Sequence, residues 1–524
     1  MLWLALHLPL LSLEAFCATL PAPPEGAGPQ PVALLAAHRI ESVNRAAAER
    51  GVRSGFKRAT ALALAPELLL ADADAAREAL ALQAVAHAAL AFTPSVTLQG
   101  AQTVLLEVQA SLRLFGGLAS LQQRLLAAVA PLGHRVRMAA APTALGAALL
   151  AQWHATGRAD QGDLVQGPHA HPCTHPLKQR LAALQALLDR APVWLLGPGR
   201  EHWEALQGMG LQTLSDLRSL PRSGLARRFG DQLLNDLDCA LGRQPDPRSW
   251  LELPGTFESR LELFARAETT DQVLHGAAVL LARLVAWAQA RKARVAAFTL
   301  RMQHELHRGS TTPFTDLQIA LAEPALDAAH LQLLLRERLG RAELAAPTLE
   351  LHLHCSQLVA GAAPNGELFP TRASEAEGLV RLLERLRARL GDAQVQRLVA
   401  VADHRPEHAS RSVSVTAPDS SPGAGPGLQP FNPALPLHRP VWLLPDPLPL
   451  AERDGLPLLD RHPLQPLSGP ERIESGWWEG PPAARDYYIV QARDGALLWI
   501  YRHRLAQAGR AAGEPCWFLQ GRFG

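Results

Sequence analysis

The chain opens on a run, residues 2–8, that is apolar apart from His7. Such a run predicts a strand covered on both faces, with a short helix over 10–16 behind it. A second apolar run at 31–35 predicts another strand, and 42–50 a helix capped by Ser42 and stopped by Gly51. Helical periodicity spans 72–91. A strand at 103–109, a helix at 118–129, a strand at 134–140 and a helix entered through Pro142-Thr143 and running to about Trp153 follow. This mixed order predicts an α+β domain with helices over one face of an antiparallel sheet.

From 177 to 241 helices dominate, punctuated by glycines at 197, 199, 208 and 210. Residues 255–360 return to a mixed pattern, with strands near 294–302 and 348–358 and helices near 271–290 and 328–339; a further helix covers 374–390. Fourteen prolines between 416 and 470 predict an extended linker. The tail gathers all three tyrosines and much of the tryptophan. Alternating runs at 486–491, 496–503 and 516–520, with Asp494-Gly495 as a turn, predict a small antiparallel meander.

With 524 residues, 48% hydrophobic and 19% charged, the chain has material for several cores. A net charge of +2 is too small to signal nucleic acid, so any basic surface must be local. Five scattered cysteines fit reduced thiols and a cytoplasmic location. The apolar start lacks a preceding Lys or Arg, is divided by Pro9 and is followed by Glu14, so it is expected to be a buried strand and not a secretory leader. No other stretch approaches the roughly 20 uncharged residues of a bilayer span, and no membrane partner is expected.

Four pieces occur in one order: Ser12-Leu-Glu14, Gly51-Val-Arg-Ser-Gly55, Leu106-Glu-Val108, and Leu196-Gly-Pro-Gly199 followed by Gly210-Leu-Gln-Thr-Leu-Ser-Asp-Leu217. In this order and spacing they resemble the Y-family (translesion) DNA polymerases. The resemblance implies palm and fingers over 1–175, a thumb with a helix-hairpin-helix over 176–250 and a little finger over 251–362. A loop and helical extension (363–411), a linker (412–470) and a C-terminal partner-binding region (471–524) would follow. It also places the family's catalytic carboxylates at Ala5, His7, Gln102 and Thr103, its triphosphate-binding Tyr and Arg at Arg45 and Ala48, and its palm Lys near Thr143. Every one departs from the pattern. Two-metal phosphoryl transfer needs anionic oxygen ligands for Mg²⁺, which these residues do not offer. Glu14 and Glu107 are the carboxylates a weakly active polymerase would have to recruit.

Loss of the acids, together with Trp477-Trp478, Arg485-Asp-Tyr-Tyr488, Leu498-Trp-Ile-Tyr-Arg502 and Trp517-Phe-Leu-Gln-Gly521, is similar to the non-catalytic ImuB-type proteins. That resemblance implies primer-template DNA, the sliding clamp, a RecA-like ImuA protein and an error-prone DnaE-type polymerase as partners, and calls for no cofactor. For DNA the candidates are Arg291, Lys292, Arg294 and Arg301, whose clustered cations would neutralise phosphates, and the thumb glycines Gly197 and Gly199. Lys and Arg also protect strand edges, which is the plainer reading of the cluster. Glu367, Leu368 and Phe369 resemble the end of the clamp-docking pentapeptide, although its first two positions differ. Trp477, Trp478, Tyr487 and Trp499 are candidate partner anchors. His169, His171, Cys173 and His175 alternate but are broken by prolines, so a loop and not a metal site is expected there.

Overall fold

The computed structural model describes the chain except residues 24, 25, 27, 157–175, 306–312, 362–371, 402, 415–438, 477–482, 505–515 and 524. It forms two compact units, Met1–Arg389 and Leu390–Gly524.

In the first unit a four-stranded antiparallel sheet runs in the order Val96–Gln99, Thr103–Glu107, Trp3–His7, Arg137–Ala141. Trp3–His7 is central, which is why its run is apolar on both faces. Leu2, Leu4, Leu6 and Leu8, all fully buried, pack with Val104 and Leu106 under helices Ala75–Leu90 and Leu118–Val129. Each such leucine is worth about 1.5–3 kcal/mol of burial. Trp3 and Ala5, on the opposite face, pack with Leu105, Ala139 and Ala141 against helix Ala144–Ala155 and the helices that follow.

Residues 32–72 make a smaller three-stranded sheet with its own core around Leu35, Ile40, Val52 and Leu68. The helix expected over 42–50 is shorter: Ser42 lies in strand Arg39–Val43, and Asn44 caps helix Arg45–Glu49 by accepting from the Ala47 N–H at 2.9 Å. The unforeseen strand exists because Ala37 and His38 take φ of 47° and 66° and reverse the chain as a two-residue hairpin turn. Glycine and asparagine usually mark such a turn, and neither is present.

Six helices between Leu177 and Ala240 include Thr213 as a reciprocal cap with Asp216. A second four-stranded antiparallel sheet follows, in the order Phe314–Ala325, Ala293–His304, Thr348–Ala360, Phe257–Ala267. Helices Thr270–Ala290 and Ala328–Leu339 cover one face. By length and composition Thr270–Ala290 would cross a membrane, contrary to the sequence reading, but it is a mostly buried core helix here. The end strands were not foreseen because Phe257–Ala267 buries only Phe257, Leu261 and Ala267.

The second unit holds a hairpin, Gln396–Ala400 with Ser410–Ser414, and a seven-stranded sheet. The expected meander lies inside that sheet as Ala483–Gln491, Leu497–His503 and Trp517–Arg522. The expected linker is corrected over its second half, where Trp442–Arg453 and Gln465–Ser475 are strands. Four of their five prolines sit at irregular or edge positions, while Pro449 is paired with Phe518. Pro445 and Pro447 fall in a register shift between Leu443 and Leu448, while Pro466 and Pro470 lie on an edge strand with two further shifts.

Candidate functional site: the palm-like cleft and the open sheet

The end of the central strand gathers three of the degenerate positions. His7 stands opposite Thr103 on one side and Arg137 on the other. Its Nδ1 is 3.0 Å from Thr103 Oγ1, and the Gln102 carbonyl accepts from the Leu8 N–H at 2.9 Å. Burial, and next the charge of Arg200, lower the His7 pKa to about 4 against a smaller opposing bond to the Gln102 carbonyl. The imidazole is therefore neutral near pH 7. Ala5, at 0% exposure, sits between Leu105 and Ala139 in the apolar core.

The remaining acids are engaged elsewhere. Glu14, on helix Leu11–Cys17, accepts from the Arg135 N–H at 3.0 Å and lies 3.5 Å from His134. Glu107 pairs with Trp3 at the far end of the strand and accepts from the Gln109 N–H at 3.2 Å, a local turn contact. Arg45 pairs with Glu49 on the surface at 2.7 Å, and Ala48 is exposed. Thr143 caps helix Ala144–Ala155 at the Gly146 N–H and donates to the Ala240 carbonyl at 2.7 Å. Among the described residues no three His, Cys, Asp or Glu side chains are grouped to hold a metal ion.

Sequence reading missed a cleft of about 570 Å³ lined by Thr156, Trp194, Arg200 and Trp203. The Arg200 guanidinium lies 5.9 Å from the Trp194 ring centroid, and its charge contributes to the lowered His7 pKa. Two tryptophans flanking Gly197-Pro-Gly199 were the available signal.

The predicted DNA contacts fare unevenly. On the sheet face opposite the helices, Arg301 is tied to Asp316 by two bonds of 2.7 and 2.8 Å and lies over Phe314, so much of its charge is spent within the protein. Arg260, Arg301 and His352 line up across the strands, with Glu258, Glu262 and Glu350 nearby. The face is mixed, not a cationic stripe. Arg291 and Lys292 are exposed in the turn after helix Thr270–Ala290, with Arg291 donating to the Pro254 carbonyl at 2.7 Å; Arg294 is half-buried. Gly199 is a correction: a Cβ there would stand 2.2 Å from the Val193 carbonyl, so this buried glycine serves close packing. Gly197 is exposed in open space.

Tyr487 and Trp499 are corrections too. Both are 1% exposed and stack at 4.1 Å, with the Tyr487 hydroxyl donating to Gln520 at 2.6 Å, because strand alternation turns both rings into one aromatic core. Glu367, Leu368, Phe369, Trp477, Trp478 and the 169–175 loop lie outside the described residues.

The impB/mucB/samB family model matches residues 26–152, which take in the smaller sheet, the helices that follow it and the three other strands of the four-stranded sheet, while the central strand Trp3–His7 lies before the match. The class is thus an α+β protein carrying an impB/mucB/samB domain. Protein ImuB from two strains of Caulobacter vibrioides is 30% identical over 497 residues, covering 90% of this chain and 100% of each relative. The chain belongs to the ImuB family. Among solved structures, an insertion ternary complex of Dbh DNA polymerase (13% identity, TM-score 0.35) and DinB from Sulfolobus solfataricus (14% identity, TM-score 0.34) each cover 69% of this chain and 100% of their own.

Proposed function

We propose that this protein is a non-catalytic, cytoplasmic DNA-binding adaptor in translesion synthesis and induced mutagenesis. It links primer-template DNA and the sliding clamp to a RecA-like ImuA partner and an error-prone DnaE-type polymerase. The observation that carries the absence of catalysis is Ala5, wholly enclosed in apolar core where a metal-binding carboxylate would be required. The neutral, hydrogen-bonded His7 supports it, as do Glu14 and Glu107, each committed to local contacts. In this reading Arg260, Arg291 and Lys292 meet the duplex backbone, Leu368 and Phe369 dock on the clamp, and the C-terminal unit recruits the partners.

Primer extension by highly purified protein with Mg²⁺ or Mn²⁺ should give no incorporation, and robust incorporation would overturn the reading in favour of a weak polymerase. In the same preparation, Leu368→Ala with Phe369→Ala should abolish clamp capture and leave DNA binding intact. Unchanged capture would locate the clamp contact elsewhere.

A further inference from the structure

At the strand end where a polymerase concentrates negative charge, this chain presents cations. Arg137 and Arg200 are both exposed, and neither pairs with a carboxylate among the described residues. Arg137 is the ladder neighbour of His7, and its charge also reaches His154, on helix Ala144–Ala155. His154 Nε2 is buried with no hydrogen-bond partner among the described residues. Arg200 reaches His7 and lines the cleft with two half-buried indoles, Trp194 and Trp203.

We propose that this cleft captures one nucleotide of a single DNA strand, its phosphate held by Arg200 and its base stacked on Trp194 or Trp203. This rests on the DNA-binding reading and assigns it a second, single-strand subsite apart from the open sheet. Guanidinium groups match phosphate in charge and geometry. Indole faces accept any base, with stacking worth about 1–3 kcal/mol per base. At about 570 Å³ the cleft falls within the roughly 300–1,000 Å³ range of small-ligand sites. With the acids gone, an approaching phosphate meets no repulsion from the strand end, so losing the metal ligands and gaining an anion site are one change.

The same chemistry could come from a free nucleoside triphosphate, and the experiment separates the two. Full-length wild type and an Arg200→Glu variant are titrated by fluorescence anisotropy against labelled oligo-dT and a blunt duplex, across a salt series. The variant should lose about tenfold or more in oligo-dT affinity, and its salt slope should fall by about 0.7, the share of one phosphate. Its duplex affinity should fall at least about five times less. Quenching of 2-aminopurine in the oligonucleotide should be lost in Trp194→Leu, Trp203→Leu protein, and the arginine variant keeps the test valid should that protein fail to fold. Unchanged oligo-dT affinity in the arginine variant, with wild type binding both DNAs, overturns this inference alone. Wild type binding neither DNA overturns the adaptor reading itself. Displacement of oligo-dT by a mixture of deoxynucleoside triphosphates assigns the cleft to free nucleotides and overturns strand capture.

Discussion

Replacing Ala5 with aspartate would put a carboxylate where the sequence resemblance expects a catalytic acid, and the structure predicts damage instead of a working site. Ala5 is 0% exposed, its ladder neighbours Leu105 and Ala139 are buried, and helix Ala144–Ala155 packs over its face. Backbone donors nearby are engaged in the ladders on both sides. Full burial of a carboxyl raises its pKa by up to about 3–5 units, or about 4–7 kcal/mol at 1.36 kcal/mol per unit. That is a large fraction of the roughly 5–15 kcal/mol that holds a domain together. A folded pKa above the unfolded value means that the folded state binds more protons, so the penalty is absent below about pH 4 and grows as pH rises toward the folded pKa. Hydrogen exchange of the Trp3–His7 amides, read by mass spectrometry, should show the Ala5→Asp deficit growing by about 2.7 kcal/mol between pH 5 and pH 7. Wild-type protection in the variant at pH 7, or protection restored by millimolar Mg²⁺, would refute the reasoning.

Two further outcomes follow from buried polar groups. The His7 pKa falls from 6.5 unfolded to about 4 folded, so stability should drop by about 3 kcal/mol as pH falls from 6.5 through 4. His7→Gln should flatten part of that acid loss in thermal melts, leaving the share of the similarly shifted His87; an unchanged profile would exclude His7 as a source. Glu384 bonds His330 Nε2 at 2.8 Å and the Glu323 N–H at 3.0 Å, so Glu384→Ala should cost about 3–5 kcal/mol and deprotect strand Phe314–Ala325 in hydrogen exchange. Intact protection there would refute that role.

Legibility in the sequence followed how locally each feature is encoded. The central strand could be read because burial on both faces makes its run continuously apolar, and helix 118–129 because its apolar stripe is regular. The hairpin at Ala37-His38 was hidden because residues without a turn preference carry the positive φ. Strands over 442–475 were hidden because prolines at bulges and edges look the same as prolines in a linker. At the candidate site the residue types at Ala5, His7, Gln102 and Thr103 could be read directly, but not their surroundings. The cleft was legible only in part, since Trp194, Arg200 and Trp203 lie close in sequence but Thr156 joins them only through tertiary packing. Tyr487 and Trp499 misled because aromatic content does not reveal which way a strand faces.

Thr143, near which the sequence resemblance puts a phosphate-binding lysine, is fully employed: it caps one helix and ties it to the Ala240 carbonyl. A Cβ on the adjoining Gly146 would come within 2.4 Å of the Thr143 hydroxyl and 3.0 Å of that same carbonyl, so the two helices are fitted around the threonine. A lysine placed here would therefore have to undo a joint before it could offer a charge. Any single-step change at Thr143 passes through a less stable protein, so the position is locked by its neighbours.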